Sequence, residues 1–184
     1  HQSMDHLNEY MDERKLPNDM RVKVREFFIH SKQIHRDRFY HDILAFMSPL
    51  LRGEVASYCH SQWIENVSFF TSGGKGEKRR FITSLALALK AESHAPTEMV
   101  IYEGEPTTKM YIIERGLLAR LGRVLGRGRI CGEDMILSKS RRHYSARALT
   151  YLQVQALRRD DLFYILDTGD FPKTKKSIRF AAIK

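Results

Sequence analysis

The stretch Gly132-Glu133-Asp134-Met135-Ile136-Leu137-Ser138-Lys139-Ser140-Arg141-Arg142-His143-Tyr144-Ser145 decides how this 184-residue chain is read. A glycine and an acid at the mouth of a short apolar turn offer backbone N–H groups. Two arginines further on can fold back over the same spot, which together is the chemistry of a pocket for a small anion. Glycine–acid pairs also open ordinary turns, and adjacent arginines usually sit in water. The neighbouring segments therefore carry the decision.

On both sides of this stretch the apolar residues come in short runs. Met99–Tyr102, Met110–Ile113, Leu117–Leu121, Val124–Leu125, Ala146–Leu149 and Leu152–Leu157 read as strands. Turn signals separate them at Glu103-Gly-Glu-Pro106, Arg115-Gly116, Gly122 and Gly126-Arg-Gly128. That spacing predicts a compact antiparallel roll or barrel. Upstream, residues 4–70 read as helical. A first segment ends at Leu16-Pro17, with Pro17 fitting the first position of a second helix. That second helix, from Asp19 to about Phe28, puts Met20, Val24, Phe27 and Phe28 on one face. A third helix is expected from about Asp37 to Met47. Ser48-Pro49 then reads as the cap and first position of a fourth, running to Trp63 and Ile64. Ser72–Gly76 reads as a linker and Lys78–Leu89 as a helix. After the strands, Asp160–Leu166 is helical, Gly169–Pro172 is a break, and Lys173–Lys184 is a basic segment. The fold class is α+β: a helical part over residues 1–71, then an antiparallel roll with flanking helices over residues 72–184.

Composition narrows the function classes. Hydrophobic content of 42% and charged content of 29% suit a soluble globular chain long enough to bury a core unaided. The longest mostly apolar run, Phe81–Leu89, is too short to span a bilayer, and the polar start carries no signal-peptide pattern. Cys59 and Cys131 stand far apart, as in a reduced, cytosolic chain. The eight histidines never meet cysteine at ligand spacing, so no metal is expected. No nucleophile with its base and no paired catalytic carboxylates occur at usable spacing, which argues against an enzyme. Residues 1–70 hold 9 basic and 10 acidic side chains, whereas residues 71–184 hold 22 and 12. The net charge of +9 therefore belongs to the half that contains the anion pocket. Such an excess suits a phosphate ligand, nucleic acid or an anionic lipid surface, or a solvated basic face.

In this order the chain resembles the C-linker plus cyclic-nucleotide-binding domain of hyperpolarisation-activated, nucleotide-gated and ether-à-go-go-type cation channels. Three stretches carry the resemblance: Met4–Arg21, Gly104–Gly116, and Gly132–Arg147. Arg147-Ala-Leu-Thr-Tyr151 and Arg159-Asp-Asp-Leu162 are nearest the ether-à-go-go branch, while the first stretch is nearer the hyperpolarisation-activated branch. The superfamily is assigned and the subfamily is not. The resemblance implies an eight-stranded roll and a C-linker through which four subunits form a ring beneath a transmembrane pore. This places the chain on the cytoplasmic side of a membrane. In such a ring the face of Met20, Val24 and Phe27 would rest on the next subunit; packing within the chain is the alternative.

The resemblance also assigns the pocket. Glu133 matches the acid that accepts from a ribose hydroxyl, Gly132 the glycine that lets backbone approach the ligand, and Arg142 the arginine that neutralises a cyclic phosphate. Arg141 is the alternative register. Other positions depart from the family pattern. His143 and Tyr144 stand where small residues are usual, Met135 replaces a small residue whose backbone meets the phosphate, and Asp134 adds a second acid. Arg120 and Arg123 occupy positions that are usually apolar and touch the base. Two readings follow. In one, His143 or Tyr144 stacks on the purine of cAMP or cGMP. In the other, Tyr144 fills the pocket and no nucleotide binds. The chain ends inside the family's closing helix, so contacts from that lid would be incomplete. A nucleotide-sensing transcription factor is the runner-up class, but the tail after Lys173 is too short for a DNA-binding domain and no nucleic acid partner is expected.

Overall fold

The computed structural model describes residues 2–71, 75–136 and 140–181. Residues 72–74 of the expected linker, Leu137, Ser138 and Lys139 of the Gly132–Ser145 stretch (the cassette), and residues 182–184 of the basic segment lie outside the described residues.

Helix α1 (Gln2–Glu13) turns sharply into α2 (Asn18–Ala45). Lys15 takes a left-handed φ of 51° at the corner, and Pro17 stands at the N-cap, one place earlier than expected. The hairpin closes on Met11, which is fully buried. Arg21 donates to the Leu16 carbonyl at 2.6 Å and pairs with Asp12, and Arg25 donates to Asn8 at 2.9 Å.

The second and third helices expected from the sequence are one. Helix α2 runs unbroken for 28 residues across the gap expected between Phe28 and Asp37. No glycine or proline interrupts Asn18–Ala45, so nothing in the backbone stops the helix. What ended in the sequence was the apolar face, not the hydrogen-bond ladder. Helix α3 (Pro49–Ile64) begins as expected, with Ser48 Oγ accepting from the Leu51 N–H at 3.4 Å. A 3₁₀ turn (Ser68–Phe70) follows, and then α4 (Lys75–Ala88), which starts three residues before the position expected for it.

Among the described residues, eight strands form two antiparallel sheets. These are β1 (Lys90–His94), β2 (Met99–Ile101), β3 (Lys109–Arg115), β4 (Leu118–Arg120), β5 (Arg123–Leu125), β6 (Ile130–Cys131), β7 (Ala146–Ala148) and β8 (Leu152–Arg158). One sheet has the order β1-β8-β3-β6, the other β2-β7-β4-β5. Helices α5 (Arg159–Asp167) and α6 (Pro172–Ala181) complete the described fold. The α+β class and the jelly-roll-like architecture follow from this arrangement.

The sequence did not announce two strands. β1 reads Lys-Ala-Glu-Ser-His, with no apolar alternation, and is a strand because β8 supplies its partner over all five residues. β6 is two residues long and is defined only by its pairing with Tyr111 and Ile112.

Alternation on β3 sets up two cores. Met110 and Ile112 face outward into a cluster with Phe81, Leu85, Leu162 and Ile178 from the helices. Tyr111 and Ile113 face inward between the sheets, with Ile101, Leu118, Cys131, Val154 and Tyr144. Both faces of β3 are therefore buried, and each large apolar side chain so enclosed stabilises by about 1.5–3 kcal/mol. Placing Tyr144 in the inter-sheet core decides the character of the site.

Candidate functional site

The cassette is built by three local conformations. Gly132 takes a left-handed φ of 91°, and a Cβ there would lie 2.7 Å from the Lys109 carbonyl oxygen and 3.0 Å from Arg142 Nη1. Only glycine fits. Glu133–Ile136 then form a 3₁₀ turn, in which the Met135 N–H donates to the Gly132 carbonyl at 3.1 Å. The segment re-enters at Arg141, whose bridge to Pro106 lines it up beside the roll. From there side chains alternate: Arg142, Tyr144 and Ala146 are buried, and Arg141, His143 and Ser145 are exposed.

That alternation separates the expected site residues. Arg142 is only 2% exposed. Its Nη1 donates to Asp134 and its Nη2 to the Lys109 carbonyl, while Nε stands 3.9 Å from the Glu105 carboxylate. The tyrosine hydroxyl joins the same cluster, 3.1 Å from Asp134 Oδ1 and 3.2 Å from Arg142 Nη1. Arg141 is not in the cluster; it donates to the Gly104 carbonyl at 2.8 Å on the outside. His143 faces away from the pocket. Met135 is fully buried among the helix-side residues, and its N–H is taken by Gly132.

A second pair closes the other side. Arg120 Nη1 donates to both Glu133 oxygens, at 2.7 and 2.9 Å, and its guanidinium lies 4.2 Å from the centre of the Tyr144 ring. Tyr144 is thus held edge and face: its hydroxyl is tied to an aspartate and its ring is covered by a cation. Burial pushes the Tyr144 hydroxyl well above the usual phenol range, with the nearby Cys131 and Asp134 adding to the effect. Burial also pushes the Cys131 thiol from the usual 9.0 up to about 11. For Arg120, burial works against the charge, but the Glu133 carboxylate outweighs it and raises the pKa. The interior of the cassette is accordingly neutral at the phenol and thiol, and charged only where charges are paired.

Arg123 is exposed on β5, directly opposite Arg120 across a two-residue turn. Both turn residues, Leu121 (φ 48°) and Gly122 (φ 71°), are left-handed, as the mirror-image turns of tight hairpins require. The structure therefore brings together Gly132, Glu133, Asp134, Arg142, Tyr144 and Arg120. It leaves out Arg141 and His143 and puts Met135 in the helix-side core. Residue reasoning missed the weight of Asp134: a buried arginine demands a counterion, and the acid two places from Gly132 was the nearest candidate in sequence. Glu105, in the β2–β3 connection, and the Lys109 carbonyl, at the start of β3, are far from Arg142 in sequence and left no local signal.

Residues 91–168 match the family described as the cyclic nucleotide-binding domain. Three curated relatives align with 96% of the chain. Potassium/sodium hyperpolarization-activated cyclic nucleotide-gated channel 3 of Homo sapiens is 28% identical over 23% of its own length. Channel 2 of Mus musculus is 28% identical over 20% of its length, and channel 1 of Rattus norvegicus 27% over 19%. The chain spans about a fifth of the length of these relatives. Among the described residues no helix is long and apolar enough to cross a membrane.

Proposed function

We propose that the chain, whose residues 91–168 match the cyclic nucleotide-binding domain and which is similar to hyperpolarisation-activated, cyclic nucleotide-gated channels, is the cytoplasmic gating module of a tetrameric cation channel whose cassette is filled by its own Tyr144. In this reading residues 1–71 are the C-linker, which forms the ring through Met20, Val24 and Phe27, and residues 72–184 are the roll that controls it. Gating needs a free-energy difference between two conformations, and any ligand or substitute must favour one of them.

The observation that carries the self-filled reading is the convergence of Arg142 Nη1 and the Tyr144 hydroxyl on Asp134 Oδ1. The guanidinium that would neutralise a cyclic phosphate already has an internal anion. Arg120 likewise occupies the carboxylate of Glu133, which would otherwise accept from a ribose. A nucleotide would have to break two ion pairs and displace a buried ring. One observation favours a second reading, in which cAMP or cGMP displaces Tyr144: the Glu133 side chain remains 36% exposed and can be reached from outside.

Calorimetric titration with cAMP and cGMP separates the two. The self-filled cassette gives no saturable heat with the unmodified chain. Tyr144→Ala restores saturable binding to at least one nucleotide, and adding Arg142→Ala removes it. Saturable heat from the unmodified chain that Arg142→Ala abolishes sinks the self-filled reading and establishes the second.

A further inference from the structure

Helix α2 meets the roll at a contact built around a histidine. The His30 ring lies on the Tyr151 ring with centroids 4.0 Å apart and planes 14° from parallel. Neutral aromatic pairs settle edge-on or offset, with centroids about 4.5–7 Å apart. A face-to-face approach this close is the arrangement of a cation over a ring face. Two hydrogen bonds hold the rings in place. The Tyr151 hydroxyl donates to Glu26 Oε2 at 3.2 Å, and Gln153 Nε2 donates to the His30 carbonyl at 2.9 Å.

The charge one helical turn before His30 is negative. Glu26 stands at the i,i+4 spacing, acid before base, that stabilises an ion pair on a helix. The residues three and four places further on, Gln33 and Ile34, carry no charge. Tyr151 donates to the same Glu26 carboxylate, and a phenol that donates to an anion presents a more negative ring face. On β1, against which α2 packs, the charged or titratable groups are Lys90, Glu92 and His94. Glu92 accepts from Lys109 at 2.7 Å, and His94 Nδ1 lies 3.2 Å from Glu98 Oε1. The opposing charges are Lys90 and Arg115, the latter being the register partner of Gln153 on β3. Both are exposed, so water and salt screen them.

We propose that His30 is a proton-operated clasp between the helical segment and the roll: protonation of its ring tightens both the stack on Tyr151 and the pairing with Glu26, and so favours the state in which α2 is held to the roll. Histidine is the side chain that changes charge between about pH 5 and pH 8. The neutral ring keeps the ring contact and loses the charge, so the clasp loosens without opening outright. Its added hold is complete where the ring is protonated and is lost as the pH rises and the proton leaves. The residues of the clasp are distinct from those around Arg142, so proton and nucleotide act at different places. What a tighter clasp does to a pore rests on the gating reading above; the clasp itself does not.

The test is hydrogen exchange of the 184-residue chain at about pH 5.5 and about pH 7.5, corrected for the intrinsic rate at each. At the lower pH the amides of residues 20–31 in α2 are expected to be about threefold better protected, the size of one exposed cation–π contact with an i,i+4 pair. Protection of β3 and β8 stays the same. His30→Phe keeps a stacked ring with no proton to gain and removes the difference. His30→Gln also removes it, and Glu26→Gln reduces it. His143→Gln, at an exposed histidine on the roll, leaves it intact. Equal protection at the two pH values overturns the proposal, as does better protection at the higher pH or a response that survives both His30 substitutions. A response of the same size in β3 and β8 overturns it too, because that reports global stability. Nucleotide titration bears on the cassette alone: a cAMP signal from the unmodified chain defeats the self-filled reading and leaves the clasp to be judged by exchange.

Discussion

At Tyr144 one side chain does two jobs: it fills the inter-sheet core and it supplies a partner to the buried Arg142. The two are separable by substitution. Tyr144→Phe keeps the ring and deletes the hydroxyl, so unfolding in urea should show a loss of about 1 kcal/mol. Tyr144→Ala also empties the space and should lose about 3–5 kcal/mol. Equal losses for the two would mean that the ring contributes nothing. Cys131 gives a pH test. Its thiol pKa is raised on folding from 9.0 to about 11, so its stabilising contribution is complete below pH 9. It is lost as the pH rises towards 11, because the unfolded thiol gives up its proton first. Cys131→Ala should flatten that alkaline decline in urea titrations; an unchanged slope would assign the decline to other groups. At this scale the sequence singled out Gly132, Glu133 and Arg142, which the structure brings near one another, and it offered Tyr144 as plug as one of two readings. The direction of each side chain was not legible, because Arg141 against Arg142 and His143 against Tyr144 are settled by a bridge to Pro106 made across the roll.

Among the elements, the cassette's 3₁₀ turn depends on Gly132. Gly132→Ala should force Lys109 and Arg142 to move and cost at least about 1–3 kcal/mol through the left-handed φ alone. A melting temperature equal to that of the unmodified chain would contradict the tight packing seen at that Cβ position. Helix α2 meets the roll through a polar latch. The His30 and Tyr151 rings stack at 4.0 Å, Tyr151 donates to Glu26 at 3.2 Å, and Gln153 donates to the His30 carbonyl at 2.9 Å. Tyr151→Ala should speed hydrogen exchange along α2 while leaving β3 and β8 protected. Uniform exchange changes would show that the latch is not local. The helices and the apolar strands were readable from periodicity, since burial imposes it. The union of two predicted helices into α2 and the polar strand β1 were not. The first follows from a missing breaker, which leaves no mark; the second follows from a partner strand more than fifty residues away.

For the whole molecule, charge is segregated: the roll half carries the positive excess. The helical half leaves Met20 47% exposed and Leu50 76% exposed. If the helical segment assembles through the α1–α2 hairpin, sedimentation should show concentration-dependent association that Met20→Asp abolishes. A monomer at every concentration would mean that this face does not assemble subunits by itself. The unbroken course of α2 bears on how such an assembly could move. At about 1.5 Å per residue the helix is about 42 Å long, and it is fixed to the roll near its middle, at Glu26 and His30. It is therefore a seesaw with a fulcrum. A tilt of about 10° at Tyr151 swings the end at Asn18 by about 3 Å one way and the end at Ala45 by about 4 Å the other, given the same rise per residue. Two separate helices joined by a loop would have absorbed that tilt at the joint.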